Sequence, residues 1–124
     1  MYDIEHRNDG ILFFPSVQDV GADHRGWVYG DFVKGIKDTL FEVRLSTLAK
    51  GPVRSEWSEP RPGELLTIVT HGSLEIIFLG SDNTESVHVV RSGQMLRSPN
   101  SIPHKANVLE DDTSVIAVRS FLTT

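Results

Sequence analysis

Residues 93–107 read GQMLRSPNSIPHKAN, and glycine, proline and histidine recur in this stretch at an ordered spacing. Five residues separate Gly93 from Pro99, and Pro103 directly precedes His104. Glycine suits a tight turn that needs a positive φ, and proline suits the end of an edge strand. The stretch therefore predicts a turn, a strand, a loop that Pro103 stiffens, and a further strand that His104 begins.

Working outward, the rest of the chain is typical of an all-β protein. Short runs rich in branched and aromatic residues alternate with turns rich in Gly, Asn, Asp and Ser, the pattern of a sandwich or barrel. Further strands are predicted over 11–14, 26–33, 39–47, 64–70, 73–79, 86–91 and 113–121. The glycine of His71-Gly72 favours a hairpin between two of them. A helical turn is expected nowhere outside 31–40, where Gly35 weakens it.

Composition limits the class of protein. The 124 residues suit a single domain, residues 1–124, which is long enough to bury a hydrophobic core. A net charge of -5 argues against a nucleic-acid partner, and no basic run suggests a membrane surface. There are no cysteines, which excludes disulfides and zinc-thiolate sites. The polar start is unlike a signal peptide and the apolar runs are far too short for a membrane span, so we expect a cytoplasmic protein.

Two predicted strands, 64–70 and 73–79, are apolar on both faces. In a small sandwich one face of each sheet meets water, so a strand with two apolar faces needs a second partner. An N-terminal strand folded over the sheet would supply one. We predict instead that a second copy covers it, which makes the protein a homodimer.

The opening stretch resembles the second conserved motif of the cupins. That motif runs glycine, five residues, proline, one residue, glycine, two residues, histidine, three residues, asparagine. Gly93, Pro99 and His104 are in register, Ser101 replaces the second glycine, and Asn107 comes one residue early. The first motif is matched by position at 54–72, so the resemblance covers about 53–120. It implies an all-β, cupin-like double-stranded β-helix, the jelly-roll barrel.

The resemblance also implies metal ligands, and most of them are missing. The family's His-x-His pair falls near Ser58 and Pro60, and its glutamate falls at Leu65. A transition metal needs several imidazole or carboxylate donors converging at about 2.0–2.2 Å. We therefore predict no metal and no other cofactor. The alternative is a substitute ligand set that joins His104 to carboxylates: Glu56, Glu59 or Glu64.

A narrower resemblance is to the nucleotide-sugar 3,4-ketoisomerases, small metal-free cupins with a strand-swapped dimer. The similarity is the Arg25-Gly26 pair before an early strand. Their catalytic His-x-His pair aligns with Ser58 and Pro60, so the resemblance implies their fold and dimer without their catalytic residues.

The candidate site is built around His104, which we predict to line the barrel mouth and to act as the catalytic or ligand-bonding group, because a neutral imidazole exchanges protons near neutral pH. Glu56 and Trp57 lie where the missing histidines begin, and would hydrogen-bond and stack on a ring. A strand arginine that points inward needs an anion. The remaining candidate ligand-binding residues are Arg44, Arg97, Arg119 and Tyr29.

Three functions follow. The first is a metal-independent cupin that binds a small sugar-like or acidic molecule in its barrel, either without chemistry or as an isomerase or epimerase. The second is a metal-dependent oxygenase or isomerase with ligands foreign to the family. The third is a structural or regulatory dimer without a ligand. An open cavity with His104 on its wall favours the first, and a barrel filled by apolar side chains favours the third.

Overall fold

The computed structural model describes residues 5–6, 12–30, 32, 40–54 and 56–121. Strands dominate these ranges, as the sequence predicts. In chain order the elements are β1 Glu5–His6, β2 Leu12–Phe13, α1 Val17–Asp23, β3 Trp27–Tyr29, β4 Phe41–Leu48, β5 Gly51–Pro52, β6 Glu64–His71, β7 Ser73–Leu79, β8 Glu85–Arg91, β9 Gln94–Pro99, β10 His104–Val108 and β11 Thr113–Ser120.

Two antiparallel sheets form a sandwich. One has the strand order β5-β10-β7-β8 and the other β3-β4-β11-β6-β9, while β1 and β2 pair separately. Alternate residues of both sheets point inward and pack together as the core. The core residues are Val69, Leu74, Ile76, Phe78, Val90, Val108 and Val115. The prediction of an all-β jelly roll is confirmed.

The predicted hairpin at Gly72 is wrong. The strands on either side of it, β6 and β7, lie in different sheets, and the chain crosses between sheets at Gly72, whose φ is +90°. A hairpin and a crossover both need a turn glycine between apolar strands, so sequence periodicity does not separate them. A hairpin does form between β7 and β8, which residues 80–84 connect.

The helix α1 was not predicted. Its N-cap is Ser16, whose hydroxyl accepts a hydrogen bond from the backbone N–H of Asp19 at 3.2 Å. A serine followed three residues later by an acidic residue is a helix-start signal, and Val20 anchors the helix with 1% exposure. The stretch 31–40, where the sequence allowed a helical turn, lies mostly outside the described residues. No helix within the described ranges has the length and apolarity needed to cross a bilayer.

The five-stranded sheet carries apolar side chains on its outer face as well. Ladder partners Leu45, Ile116, Ile68 and Met95 form one row across four strands. Leu45 is 40% exposed and Met95 68% exposed. The two-faced character predicted for β6 is therefore present, and the homodimer inferred from it stays a prediction.

Candidate functional site

An open cavity of about 700 Å³ lies between the two sheets. Its apolar lining includes Leu48 and Val115, toward the paired ends of β4 and β11 at Leu48 and Thr113, together with Leu74 and Ile76 of β7. The charged lining residues on the strands lie toward the opposite ends of β4 and β11. The cavity is therefore amphipathic along its length, and its volume suits a small organic molecule.

Two arginines lie on the cavity wall in the paired strands β4 and β11, with Arg44 opposite Ala117 and Arg119 opposite Glu42. Arg119 donates from Nε to Oε1 of Glu42 at 3.0 Å, and its Nη2 donates to the same oxygen. Arg44 has no such carboxylate, and its Nε is the one buried side-chain N or O atom among the described residues that lacks a hydrogen-bond partner. Both guanidiniums lie over the ring of Trp27, at 5.3 Å for Arg44 and 4.5 Å for Arg119.

The environment of Arg44 disfavours its charge. Burial lowers the pKa of the Arg44 guanidinium, and the positive charges of Arg119 and Arg54 lower it further. A guanidinium keeps its proton under ordinary conditions. Arg44 therefore remains charged on the cavity wall, although burial and the neighbouring arginines disfavour its charge.

His104 begins β10 and lines the cavity, where the sequence predicts it. Its backbone N–H donates to the hydroxyl of Ser58 at 2.9 Å, and its Nδ1 lies 2.9 Å from the same oxygen. Burial lowers the pKa of His104 below the usual 6.5, the backbone carbonyl of Ile102 opposes that shift, and Arg54 and Arg44 add to it. His104 is accordingly neutral at neutral pH.

This shift predicts acid-sensitive stability. The folded state binds the His104 proton less readily than the unfolded chain, so the unfolded state carries more protons as the pH falls below 6.5. The free energy of unfolding should fall with pH in that window, by at most about 1.4 kcal/mol per pH unit for one proton. Urea unfolding at neutral pH and at about pH 5.5 should show a smaller loss of unfolding free energy for His104→Asn than for the parent. Equal losses in both proteins would contradict the prediction.

The structure brings most of the predicted residues to one place. Arg44, Arg119, Glu56, Trp57 and His104 all line the cavity. Glu56 is exposed, whereas Trp57 is partly buried with the ammonium of Lys105 4.5 Å from its ring centre. Their roles in binding or catalysis stay predictions.

Two predicted ligand-binding residues do not lie on the cavity wall. Arg97 points outward with 65% of its side chain exposed and pairs with Glu64 at 3.6 Å. A register shift between Trp27 and Tyr29 pairs Trp27 with Arg44 and Tyr29 with the neighbouring residue of β4, Val43. Tyr29 therefore faces away from the cavity and stacks on Phe41 at 5.2 Å.

Sequence reasoning missed Arg54 and Arg61 as lining residues, whereas Ser58 lines the cavity at a position that the cupin resemblance gives to a histidine. They lie in an irregular segment between β5 and β6, where no strand periodicity indicates a direction for a side chain. Backbone hydrogen bonds hold this segment against the barrel, including Ser58 N–H to the His104 carbonyl at 3.0 Å and Arg61 N–H to the Asn100 carbonyl at 3.0 Å. No signal in the sequence points to these contacts.

Comparison with known proteins identifies the fold. No family model and no curated protein matches the chain. Among solved structures, a cupin-2 domain protein from Shewanella frigidimarina superposes with a TM-score of 0.52 at 19% identity, over 68% of this chain and 74% of its own. An oxalate decarboxylase from Lactobacillus farciminis, solved as a formate complex, gives a TM-score of 0.53 at 14% identity over 65% of this chain. The chain has the cupin fold.

Two further results of the comparison concern coverage. The match spans 23% of the oxalate decarboxylase chain, so most of that protein has no counterpart here. A structure of Drosophila melanogaster CENP-C bound to CAL1 superposes with a TM-score of 0.52 at 15% identity, over 96% of this chain and 81% of the matched chain. At these identities the comparisons establish the fold and leave the activity open.

The cavity residues do not fit the metal that proteins with the cupin fold commonly hold. In the part of the chain that the structure describes, no three His, Asp or Glu side chains come together as ligands. The positions of the missing family ligands include Ser58, whose hydroxyl bonds His104, and Leu65, a hydrocarbon on the cavity wall. Glu56 and Glu59 also line the cavity but both are exposed.

Proposed function

We propose that this cupin binds a small acidic molecule in its barrel, holding it with arginines instead of a metal. The observation that carries the proposal is the buried, unpartnered Nε of half-buried Arg44, which lines the cavity beside the charges of Arg119 and Arg54. A buried guanidinium without an acceptor is costly, and a carboxylate or phosphate relieves that cost. The cavity concentrates arginine although the chain as a whole has a net charge of -5.

The shape of the cavity indicates how such a molecule would lie. Its acidic group meets Arg44 and Arg54, while an apolar body extends toward the hydrocarbon end at Leu74 and Val115. Because Glu42 already neutralises Arg119, Arg44 is the stronger site for the anion. A small amphipathic acid fits this arrangement better than a neutral sugar does.

His104 supplies the chemistry if the molecule is also a substrate. As a neutral imidazole on the cavity wall it can accept a proton from carbon and return it, the step that an isomerase or epimerase requires. The hydroxyl of Ser58 fixes the ring through Nδ1. Nearby guanidiniums would stabilise the negative charge that develops on the substrate.

Replacing Arg44 by methionine tests the proposal. Phenylacetate, hexanoate and inorganic phosphate serve as probes, with phenylethanol as the neutral comparator. The organic acids should raise the melting temperature of the parent, and Arg44→Met should weaken their binding at least about tenfold, since hydrogen bonds to charged groups contribute about 1.5–3 kcal/mol. The variant without probe should be at least as stable as the parent, because an unpaired buried charge has been removed.

Arg97→Met is the matched control, since it removes an arginine that is exposed and points away from the cavity. It should leave both stability and probe binding unchanged. The proposal fails if no acidic probe shifts the melting temperature of the parent, or if Arg44→Met and Arg97→Met weaken binding equally.

A second candidate is a dimeric interaction module without a small ligand. The observation favouring it is the extent of the match to the structure of CENP-C bound to CAL1, which covers 96% of this chain. For such a module, acidic probes should not raise the melting temperature of the parent, and Arg44→Met should not change the response to them. The same experiment therefore separates the two candidates.

A further inference from the structure

The strand β8 is an unprotected edge of the four-stranded sheet. It pairs with β7 over all seven residues without a register shift, and in the described part of the chain no strand pairs with its other edge. Proteins protect exposed edges with short strands, bulges, proline or lysine. The central residues of β8, 86–90, read SVHVV and contain neither proline nor a charged side chain.

The other three edge strands of the two sheets are protected. β5 has only two residues and β3 only three, with a register shift against β4. β9 ends in Pro99 and carries the exposed Arg97. The long and regular edge of β8, with its uncharged centre, is therefore distinctive, since the backbone N–H and C=O groups along the central residues 86–90 can meet another strand. At its end the backbone N–H of Arg91 already donates to Oε1 of Gln94 at 2.8 Å.

The side chains of β8 suit a strand whose free edge pairs with another strand. Val87 is 56% exposed and shares the outer surface of the sheet with its ladder partner Ile77. His88 faces the other way and packs edge-on against Phe78, with ring centres 5.5 Å apart. The two charged residues are at the ends of the strand, Glu85 at the start and Arg91 at the finish, and both are exposed.

We propose that β8 pairs antiparallel with β8 of a second copy, about a two-fold axis at His88, so that the two four-stranded sheets become continuous. In this register Glu85 lies opposite Arg91 of the other copy, and Arg91 opposite its Glu85. Val87 lies opposite Val89 in both directions. The strand is therefore complementary to itself in charge and in apolar side chains, as a two-fold interface requires.

The charges select the register more than they hold the dimer together. Exposed ion pairs contribute little to stability, whereas like charges placed directly opposite each other oppose pairing. The main contributions would be the new backbone hydrogen bonds and the valine contacts, as in other strand-addition interfaces. This interface differs from a dimer made through the outer face of the five-stranded sheet, and it does not depend on what the cavity binds.

Charge reversal tests the register directly. Sedimentation equilibrium of the full chain at micromolar concentration should show a dimer for the parent. E85R alone places arginine opposite arginine and R91E alone places glutamate opposite glutamate, so each should raise the dissociation constant at least about tenfold. An equimolar mixture of the two variants should dimerise again, and so should the double variant E85R/R91E, because both restore opposite charges.

Circular dichroism should show that every variant is folded, since both substituted side chains are exposed. The matched control is L45K, which places a charge on the outer face of the five-stranded sheet and should leave the dimer intact. The proposal is overturned if the parent is monomeric, if the mixture of E85R and R91E stays monomeric, or if L45K alone dissociates the dimer.

Discussion

Glu42→Gln should lower the free energy of unfolding by about 2–3 kcal/mol, because removing one partner of a buried ion pair leaves the other charge uncompensated. The pair that it breaks is largely shielded from water, with side-chain exposures of 22% for Arg119 and 11% for Glu42. Arg119 would then join Arg44 as a second unneutralised guanidinium on the same cavity wall. Urea unfolding at neutral pH measures the change.

The control for this prediction is Glu64→Gln, which breaks the outward pair between Glu64 and Arg97. That pair is longer, at 3.6 Å, and Arg97 is 65% exposed. Its loss should change the free energy of unfolding by less than about 1 kcal/mol. Phosphate should recover more stability in Glu42→Gln than in the parent, since the variant has one more cation without a partner. Equal effects of the two substitutions would show that the cavity does not shield the Glu42 pair.

Gly72→Ala should destabilise the fold by about 3–4 kcal/mol, the sum of backbone strain and overpacking. Gly72 has a φ of +90°, and a Cβ built on it would lie 2.8 Å from the Cα of Thr113 and closer still to the Thr113 hydroxyl. Thr113 has no exposed surface, and its hydroxyl accepts from Ser73 N–H at 3.3 Å and donates to the Glu110 carbonyl at 2.8 Å. The crowded residue therefore has little freedom to move.

Gly93→Ala separates the two causes. Gly93 has a similar φ of +83°, but a Cβ built there meets nothing within 4 Å. Its substitution should cost about 1 kcal/mol through backbone strain alone. Thermal and urea melts of both variants give the comparison, and a Gly93→Ala loss as large as that of Gly72→Ala would mean that crowding at Thr113 contributes nothing.

Most of the strands, and the position of His104 at the start of one of them, could be predicted from the sequence. Strand existence depends on local alternation and local turn chemistry, so β4, β6, β7, β8, β9 and β11 were predicted within a few residues. The spacing in residues 93–107 placed Gly93 in a turn, Pro99 at a strand end and His104 at a strand start, as the structure has them. Arg44, Arg97 and Arg119 were equal candidates in the sequence, and the structure places Arg44 and Arg119 on the cavity wall and Arg97 outside it.

The pairing of the strands and the contacts between side chains could not be predicted from the sequence and are known from the folded structure. The crossover at Gly72, the register shift that separates Tyr29 from Trp27, and the outward direction of Arg97 depend on contacts between segments far apart in the chain. The same holds for the neutralisation of Arg119 by Glu42, 77 residues away, and for the absence of an acceptor at Arg44 Nε. The alternation of residues in a strand is a local property that the sequence shows. The hydrogen-bond partners and the burial of a side chain arise when distant strands pack, because hydrogen bonding and desolvation depend on all the atoms around a group.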